Sequence, residues 1–208
     1  MEKRKLGSTP EMLSVVGFGG IVVMDETPED ASRYVAVAIE RGVNYFDVAP
    51  SYGNAEERLG PALEPYRKNV FLACKTGKRD AQGAEKELHE SLQRLRTDYF
   101  DLYQLHAVTS DDDVQRILAP GGALETFVQA RQQGLVRYLG FSAHSESAAL
   151  ALMETWLPGW PPAEDENGKA FPADARDEWK YRMGMYQALS GNLQAARSQF
   201  QEIIERPA

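Results

Sequence analysis

Four short stretches decide the fold: VNYFDVA (43–49), NVFLACK (69–75), YFDLYQLH (99–106) and VRYLGFS (136–142). Each is a nearly continuous apolar run, which is typical of a strand covered on both faces by helices in a parallel sheet. Stretches with helical spacing separate these runs, and each strand–helix unit takes roughly thirty residues, the usual size of a βαβ unit. The sequence therefore predicts an α/β fold with parallel strands.

Helix signals lie between the strands. Thr27 followed by Pro28 predicts a capped helix start, and Gly42 marks its end. Asn54, with Glu57 three residues later, resembles a capping box for a second helix that runs to about residue 66. Further helices are predicted over about 81–95, 123–133 and from Ser145 to about 156.

The segment before the first helix reads differently. KRKLGSTPEMLSVV (3–16) contains the turn signal Gly7-Ser8-Thr9-Pro10 and predicts a short hairpin. A brief apolar strand is expected over 14–18, where Gly19-Gly20 stops it. The acidic run 111–113 is interpreted as a solvated loop and helix cap.

Composition narrows the class of protein. The 208 residues are 43% hydrophobic and carry a net charge of −8, so a core can form, and there is no basic stripe for nucleic acid. Cys74 is the only cysteine, which excludes an intrachain disulfide and a cysteine-based metal cluster. Neither a signal-peptide pattern nor a membrane-spanning apolar run is present, so a cytoplasmic protein without membrane contact is expected.

Polar residues stand where the predicted strands end. Asp47, Lys75, His106 and Ser142 close successive strands, and Tyr52 lies in the loop just after Asp47. Because the carboxyl ends of parallel strands meet at one edge, these side chains are expected to lie close together. Taken singly, four of these residues also have a non-functional interpretation. Asp47 could cap the following loop, Lys75 could be a solvated charge, His106 could be structural and Tyr52 could serve packing. Their occurrence in this order favours shared chemistry.

These residue types together suit the reduction of a carbonyl group, which needs a hydride donor and a proton donor. A free tyrosine titrates near pH 10, and a neighbouring ammonium lowers the pKa of a phenol. An aspartate can hold the lysine in place, and a neutral histidine can donate a hydrogen bond to the carbonyl oxygen. Tyr52, Lys75, Asp47 and His106 are the candidates for these roles. Histidines are few and scattered, and no metal site is predicted.

GVNYFDVAPSYGNAEERLG (42–60), VFLACKTGKR (70–79) and DYFDLYQLH (98–106), in this order, closely resemble the signatures of the aldo-keto reductases. KLGSTPEMLSVVGFGG (5–20) resembles that family's entry hairpin and first strand. The resemblance covers roughly residues 3–156. It implies a (β/α)₈ barrel of the TIM type that reduces an aldehyde or ketone with NADP(H), or alternatively NAD(H).

By the same resemblance, Tyr52 is the proton donor, Lys75 and Asp47 tune it, and His106 positions the substrate carbonyl. Gly19, Gly20 and Ser142 match positions where the family contacts its nicotinamide cofactor. At position 143 the family often has asparagine, whereas this chain has alanine. The later strands of the family's barrel carry most of the adenosine-phosphate recognition. The sequence contains only about five βα units, so residues 1–156 are expected to form an incomplete barrel.

The composition changes after residue 156. Residues 157–176 are rich in proline and acidic residues and are interpreted as a linker. Residues 177–208 predict a helical hairpin that resembles a single tetratricopeptide repeat, and a single repeat cannot bury its own apolar face. These helices could cover an edge of the sheet, pair in a homodimer or bind another protein. An alternative function follows: a catalytically impaired reductase fragment that acts as an interaction or scaffold module.

Overall fold

The computed structural model describes residues 1–7 and 9–156, and the first of the chain's two units, Met1–Ala151, carries the sheet. Five parallel strands pair in the order in which they follow one another along the chain. They are β3 (Phe18–Gly19), β4 (Tyr45–Asp47), β5 (Phe71–Thr76), β6 (Phe100–Val108) and β7 (Val136–Ala143). The predicted parallel α/β fold with five strands is confirmed. Within the described residues the sheet is open, since β3 and β7 do not pair.

Helices connect the strands. They are α1 (Pro28–Glu40), α2 (Ala55–Leu63), α3 (Ala81–Arg94), α4 (Asp111–Leu118), α5 (Ala123–Gln132) and α6 (Glu146–Trp156). Two 3₁₀ helices cover Gly20–Val23 and Glu64–Asn69. The predicted start of α1 is confirmed, because Thr27 Oγ1 accepts a hydrogen bond from the Asp30 backbone N–H at 3.1 Å. Gly42 follows this helix with φ +84°, a conformation that favours glycine.

Two predictions at helix starts differ from the structure. Asn54 precedes α2 without capping it through its side chain, because its Oδ1 accepts from the Asp25 N–H at 2.8 Å. This long-range bond holds a non-glycine residue at φ +62°, and it competes successfully with the capping box. The run 111–113, expected to be a loop and helix cap, does lie at a helix start, but it forms the first turn of α4, and the cap is Ser110, whose Oγ accepts from the Asp113 N–H at 3.2 Å.

The amino-terminal hairpin is confirmed. β1 (Lys3–Lys5) pairs antiparallel with β2 (Met12–Ser14). The strand expected over 14–18 is wrong in its extent, because only Phe18 and Gly19 pair with β4. Val15 and Val16 instead lie about half exposed between the hairpin and the sheet. Ser14 Oγ donates to Val16 O at 2.8 Å, and this local bond turns the chain out of the strand path.

The core lies between the sheet and the helices. All six residues of β5 are buried. On β6, Phe100 stacks on Tyr103 at 5.8 Å between ring centroids, and Tyr103 contacts Phe127 of α5 at 4.9 Å. Buried apolar area of this kind supplies most of the folding free energy, at about 25 cal/mol per Å². The central strands are therefore a rigid support for the residues at their carboxyl ends.

The predicted linker (157–176) and the predicted repeat-like helical hairpin (177–208) lie outside the described residues. The division of the chain into these segments stays a prediction. Among the described residues, no helix combines the length and the apolar character needed to cross a bilayer.

Candidate active site

The carboxyl ends of β4 and β5 bring the predicted lysine and aspartate into contact. Lys75 is 5% exposed, and its Nζ donates to Oδ1 of Asp47 and, at 3.3 Å, to the Val48 carbonyl oxygen. Parallel pairing sets this geometry, because β4 and β5 run side by side with Asp47 opposite Ala73. A buried ammonium needs such partners, since an unpaired charge in the protein interior is costly.

Tyr52 lies on the turn that follows β4. Its N–H donates to Ala49 O at 3.0 Å, and Gly53 continues the turn with φ +55°. The turn brings the phenol ring to 5.3 Å from Lys75 Nζ, measured to the ring centroid. The same ring meets His106 edge-on at 5.7 Å between centroids. The structure thus brings the four predicted catalytic residues together at one end of the sheet.

Tyr45 is a member of the cluster that the sequence analysis did not name. Its hydroxyl donates to Asp47 Oδ2 at 3.2 Å, so each carboxylate oxygen of Asp47 has a donor. Burial, followed by the charge of Asp47, raises the pKa of Tyr45 well above its ordinary value of 10.0. The phenol therefore stays protonated and remains a donor at neutral pH. The i, i+2 spacing on a strand puts both residues on one face, and this signal could have found it.

His106 is half-buried near the end of β6. Burial, and then the positive charge of Lys75, lower its pKa below the ordinary 6.5. The imidazole is therefore neutral at pH 7. Its Nδ1 lies 3.3 Å from Ser51 Oγ. Ser51 was not predicted from the sequence, although it directly precedes Tyr52 and so shares its turn.

The three predicted cofactor-binding residues differ in their surroundings. Gly19 pairs with Asp47 across the sheet and is exposed, and a Cβ added there would meet nothing within 4 Å. Gly20 is buried, and an added Cβ would lie 2.8 Å from Val48 Cβ and 2.9 Å from the Asp47 carbonyl oxygen. Close packing against β4 is thus enough to explain this glycine. Ser142 Oγ accepts from the Ala107 N–H at 3.0 Å and keeps its own O–H.

Cys74 precedes Lys75 on β5 but points away from the cluster. The thiol is fully buried and donates to Glu56 Oε1 at 3.5 Å. Burial, and then the charge of Glu56, raise its pKa well above the ordinary 9.0. Arg94 balances the carboxylate of Glu56 at 2.9 Å. Within the described residues, no group of three or more His, Cys, Asp or Glu side chains could hold a metal ion.

Comparison with known proteins bears on this arrangement. The sequence profile of the aldo/keto reductase family matches residues 15–162. An uncharacterized oxidoreductase of Bacillus subtilis, YqkF, is 36% identical over 157 residues, covering 69% of this chain and 49% of that protein. L-galactose dehydrogenase of Arabidopsis thaliana is 32% identical, covering 68% of this chain and 48% of that protein. The chain spans about half the length of the curated relatives it matches.

A solved structure agrees with the fold. The holo form of an aldo-keto reductase from Bacillus halodurans superposes with a TM-score of 0.65 and 31% sequence identity. The match covers 74% of this chain and 54% of the Bacillus halodurans chain. The similarity therefore concerns the sheet and helices described above.

Proposed function

The chain belongs to the aldo/keto reductase family, and we propose that it reduces an aldehyde or a ketone with a nicotinamide cofactor, NADP(H) or NAD(H), using Tyr52 as the proton donor. The observation that carries the proposal is the contact of one phenol with both an ion-paired lysine and a neutral histidine. The ring of Tyr52 lies 5.3 Å from Lys75 Nζ and 5.7 Å from the ring of His106. A small carbonyl compound is the substrate class that uses these groups together.

In this proposal Tyr52 gives its phenolic proton to the carbonyl oxygen while hydride arrives at the carbonyl carbon. The phenolate that forms carries a negative charge, and the neighbouring ammonium of Lys75 stabilises that charge. Asp47 holds the ammonium in position through its carboxylate, and Tyr45 holds the other carboxylate oxygen. Asp47 limits the motion of Lys75 directly, and Tyr45 does so through Asp47, so the charge stays preorganised.

His106 would orient the carbonyl. When the Ser51 hydroxyl donates to Nδ1, the neutral ring carries its proton on Nε2 and can donate it to the substrate oxygen. The lowered pKa of His106 supports the neutral ring at pH 7. A neutral donor suits this role, because a second full cation beside Lys75 would repel it.

Two features fit a nicotinamide ring at this end of the sheet. Gly19 is exposed at the end of β3, and no atom lies within 4 Å of an added Cβ, so a flat ring has room to approach the backbone. The Ser142 hydroxyl keeps a proton that a carboxamide oxygen can accept. When bound, the cofactor supplies the hydride. Close packing explains why position 20 is a glycine, and a contact of its backbone with the cofactor stays a prediction.

The test is NADPH oxidation, followed by absorbance with purified protein and a panel of reactive aldehydes. Tyr52→Phe is the matched control, because it removes one hydroxyl and keeps the ring against His106. We expect turnover that falls by at least about 100-fold in the variant, the size of a lost general acid. NADH run in parallel decides between the two cofactors.

Cofactor binding is measured separately by NADPH fluorescence. Turnover that Tyr52→Phe leaves untouched would remove Tyr52 from the mechanism. Failure of the wild-type chain both to bind NADPH and to turn over aldehydes would refute the proposed activity and favour the interaction-module alternative.

A further inference from the structure

We propose that Arg79 is a positioning residue for His106, acting by clamping the backbone bend that follows this histidine. Arg79 lies between β5 and α3, outside the cluster described above, and among the described residues no hydrogen bond joins it to a side chain of that cluster. Its guanidinium instead reaches across to the end of β6. The inference rests on the proposed function for its catalytic consequence, but not for its structural one.

The bend itself is unusual. Ala107 adopts φ +51°, a conformation that costs a residue with a Cβ on the order of 1–2 kcal/mol. The pairing of β6 with β7 shifts register at the same place, between Leu105 and Val108. A bulge of this kind re-aims the side chains beside it. The direction of the imidazole of His106 therefore depends on how firmly the bend is held.

Arg79 binds two consecutive peptides of the bend. Its Nη2 donates to the carbonyl oxygen of His106 at 3.0 Å and to that of Ala107 at 3.1 Å. The Arg79 side chain is only 10% exposed, so water cannot easily replace these bonds. One guanidinium thus fixes the direction of both carbonyl groups that flank the strained residue.

Asp113 anchors the guanidinium. The first turn of α4 directs its carboxylate to Arg79, with Nε to Oδ1 at 3.0 Å and Nη2 to Oδ2 at 3.4 Å. The hydrogen bonds from Arg79 lower the pKa of Asp113 to about 2, so the pair stays charged at neutral pH. Thr109 donates its N–H and its hydroxyl to the same carboxylate, at 3.0 and 3.1 Å. The clamp therefore ties the bend to α4 as well as to the β5–α3 loop.

The remaining side of the bend is held from β7. Ser142 Oγ accepts the Ala107 N–H at 3.0 Å, and the His144 N–H donates to Val108 O at 2.9 Å. Ser142 fixes the N–H of the bulge, whereas among the side chains of the described residues only that of Arg79 donates to the carbonyl oxygens of His106 and Ala107. Arg79 is thus the side chain whose loss frees the peptide next to His106.

The primary test measures the environment of the His106 ring directly and needs no enzymatic turnover. Imidazole resonances are recorded by heteronuclear NMR against pH in the full chain, which has only three histidines, and His106→Gln assigns the signal of interest. Arg79→Gln removes the guanidinium group that donates to the carbonyl oxygens of His106 and Ala107. We expect the His106 signal to shift and its titration midpoint to rise toward 6.5, because the ring becomes more hydrated and a nearby cation is lost.

The charged groups that act on His106 are Lys75, Asp47, His144 and Arg79. The matched control is Arg137→Gln, which removes an arginine at the opposite end of the sheet. Arg137 is ion-paired there with Glu11 and Asp101. This variant should leave the His106 signal in place. Arg79→Lys keeps a long cationic chain but loses the planar fork, and it carries the test if Arg79→Gln does not fold. An intermediate shift is expected from it.

Steady-state kinetics are the second measurement. With an aldehyde that the wild type reduces, Arg79→Gln should lower kcat by about 10- to 100-fold with a smaller change in KM, since a displaced orienting group weakens the transition state most. An unchanged His106 signal together with wild-type kcat in folded Arg79→Gln and Arg79→Lys would overturn the inference. A shifted His106 signal in a chain without turnover would retain the clamp and reject the proposed reaction, so the two failures are distinguishable.

Discussion

The ion pair between Lys75 and Asp47 allows a quantitative test, because its members differ in exposure. The Lys75 side chain is 6% exposed and that of Asp47 is 22%. Asp47→Asn leaves the ammonium buried, with the Val48 carbonyl at 3.3 Å as its remaining uncharged partner besides the new amide. Breaking a buried pair from one side costs about 3–5 kcal/mol. Since this site is partly hydrated and asparagine keeps an acceptor, we expect a loss of about 2–3 kcal/mol.

The complementary change should cost less. Lys75→Met leaves a carboxylate that is more exposed and still accepts the Tyr45 hydroxyl at 3.2 Å, so a loss of about 1–2 kcal/mol is expected. The double variant Asp47→Asn with Lys75→Met removes both charges together. Replacing a buried pair by neutral side chains is often close to neutral, so we expect it within about 1 kcal/mol of the wild type. The two single losses sum to about 3–5 kcal/mol, so a double variant within about 1 kcal/mol of the wild type means that the two sites are coupled by about 2–6 kcal/mol.

Urea unfolding at pH 7, followed by far-UV circular dichroism, measures the four proteins of this cycle. The control is the equivalent cycle on Arg96 and Glu64, an ion pair whose side chains are 55% and 54% exposed. A coupling energy of at most about 1 kcal/mol is expected for this surface pair. Additive losses at Asp47 and Lys75 would show that the ammonium does not depend on the carboxylate. The idea that Asp47 keeps a buried, charged Lys75 in place would then be refuted.

Three further predictions use other parts of the structure. Burial lowers the pKa of His106, so the unfolded chain binds a proton at this residue more readily than the folded chain does. The unfolding free energy of the wild type, relative to that of His106→Gln, should therefore fall as the pH is lowered from about 7 to 5. A difference between the two proteins that does not change with pH would contradict this. The fully buried Cys74 should react with a thiol reagent only as fast as the protein opens, and labelling under native conditions at the rate of the unfolded chain would disprove that burial. Gly20→Ala should destabilise the fold by about 1–3 kcal/mol through contact with Val48, while Gly19→Ala leaves stability unchanged; equal unfolding midpoints for the two variants would reject the packing argument.

Much of the fold was predictable because its signals are local. Helix α1 begins at Pro28 behind the Thr27 cap, and the strands around Asp47 and Lys75 read directly as apolar runs. The capping role predicted for Asn54 failed because its side chain bonds to the backbone of Asp25, twenty-nine positions away along the chain. A local sequence pattern cannot show that a distant backbone N–H competes with the helix for the Asn54 side chain.

The same distinction holds for the site. The sequence by itself determined that Asp47, Lys75 and His106 lie at or near the carboxyl ends of successive parallel strands, since strand order and alternation are properties of short segments. Only the tertiary structure decided that Arg79 supports them, through hydrogen bonds to the carbonyl oxygens of His106 and Ala107. The physical reason is that such bonds depend on the approach of residues from different segments, and their distances follow from packing rather than from spacing along the chain.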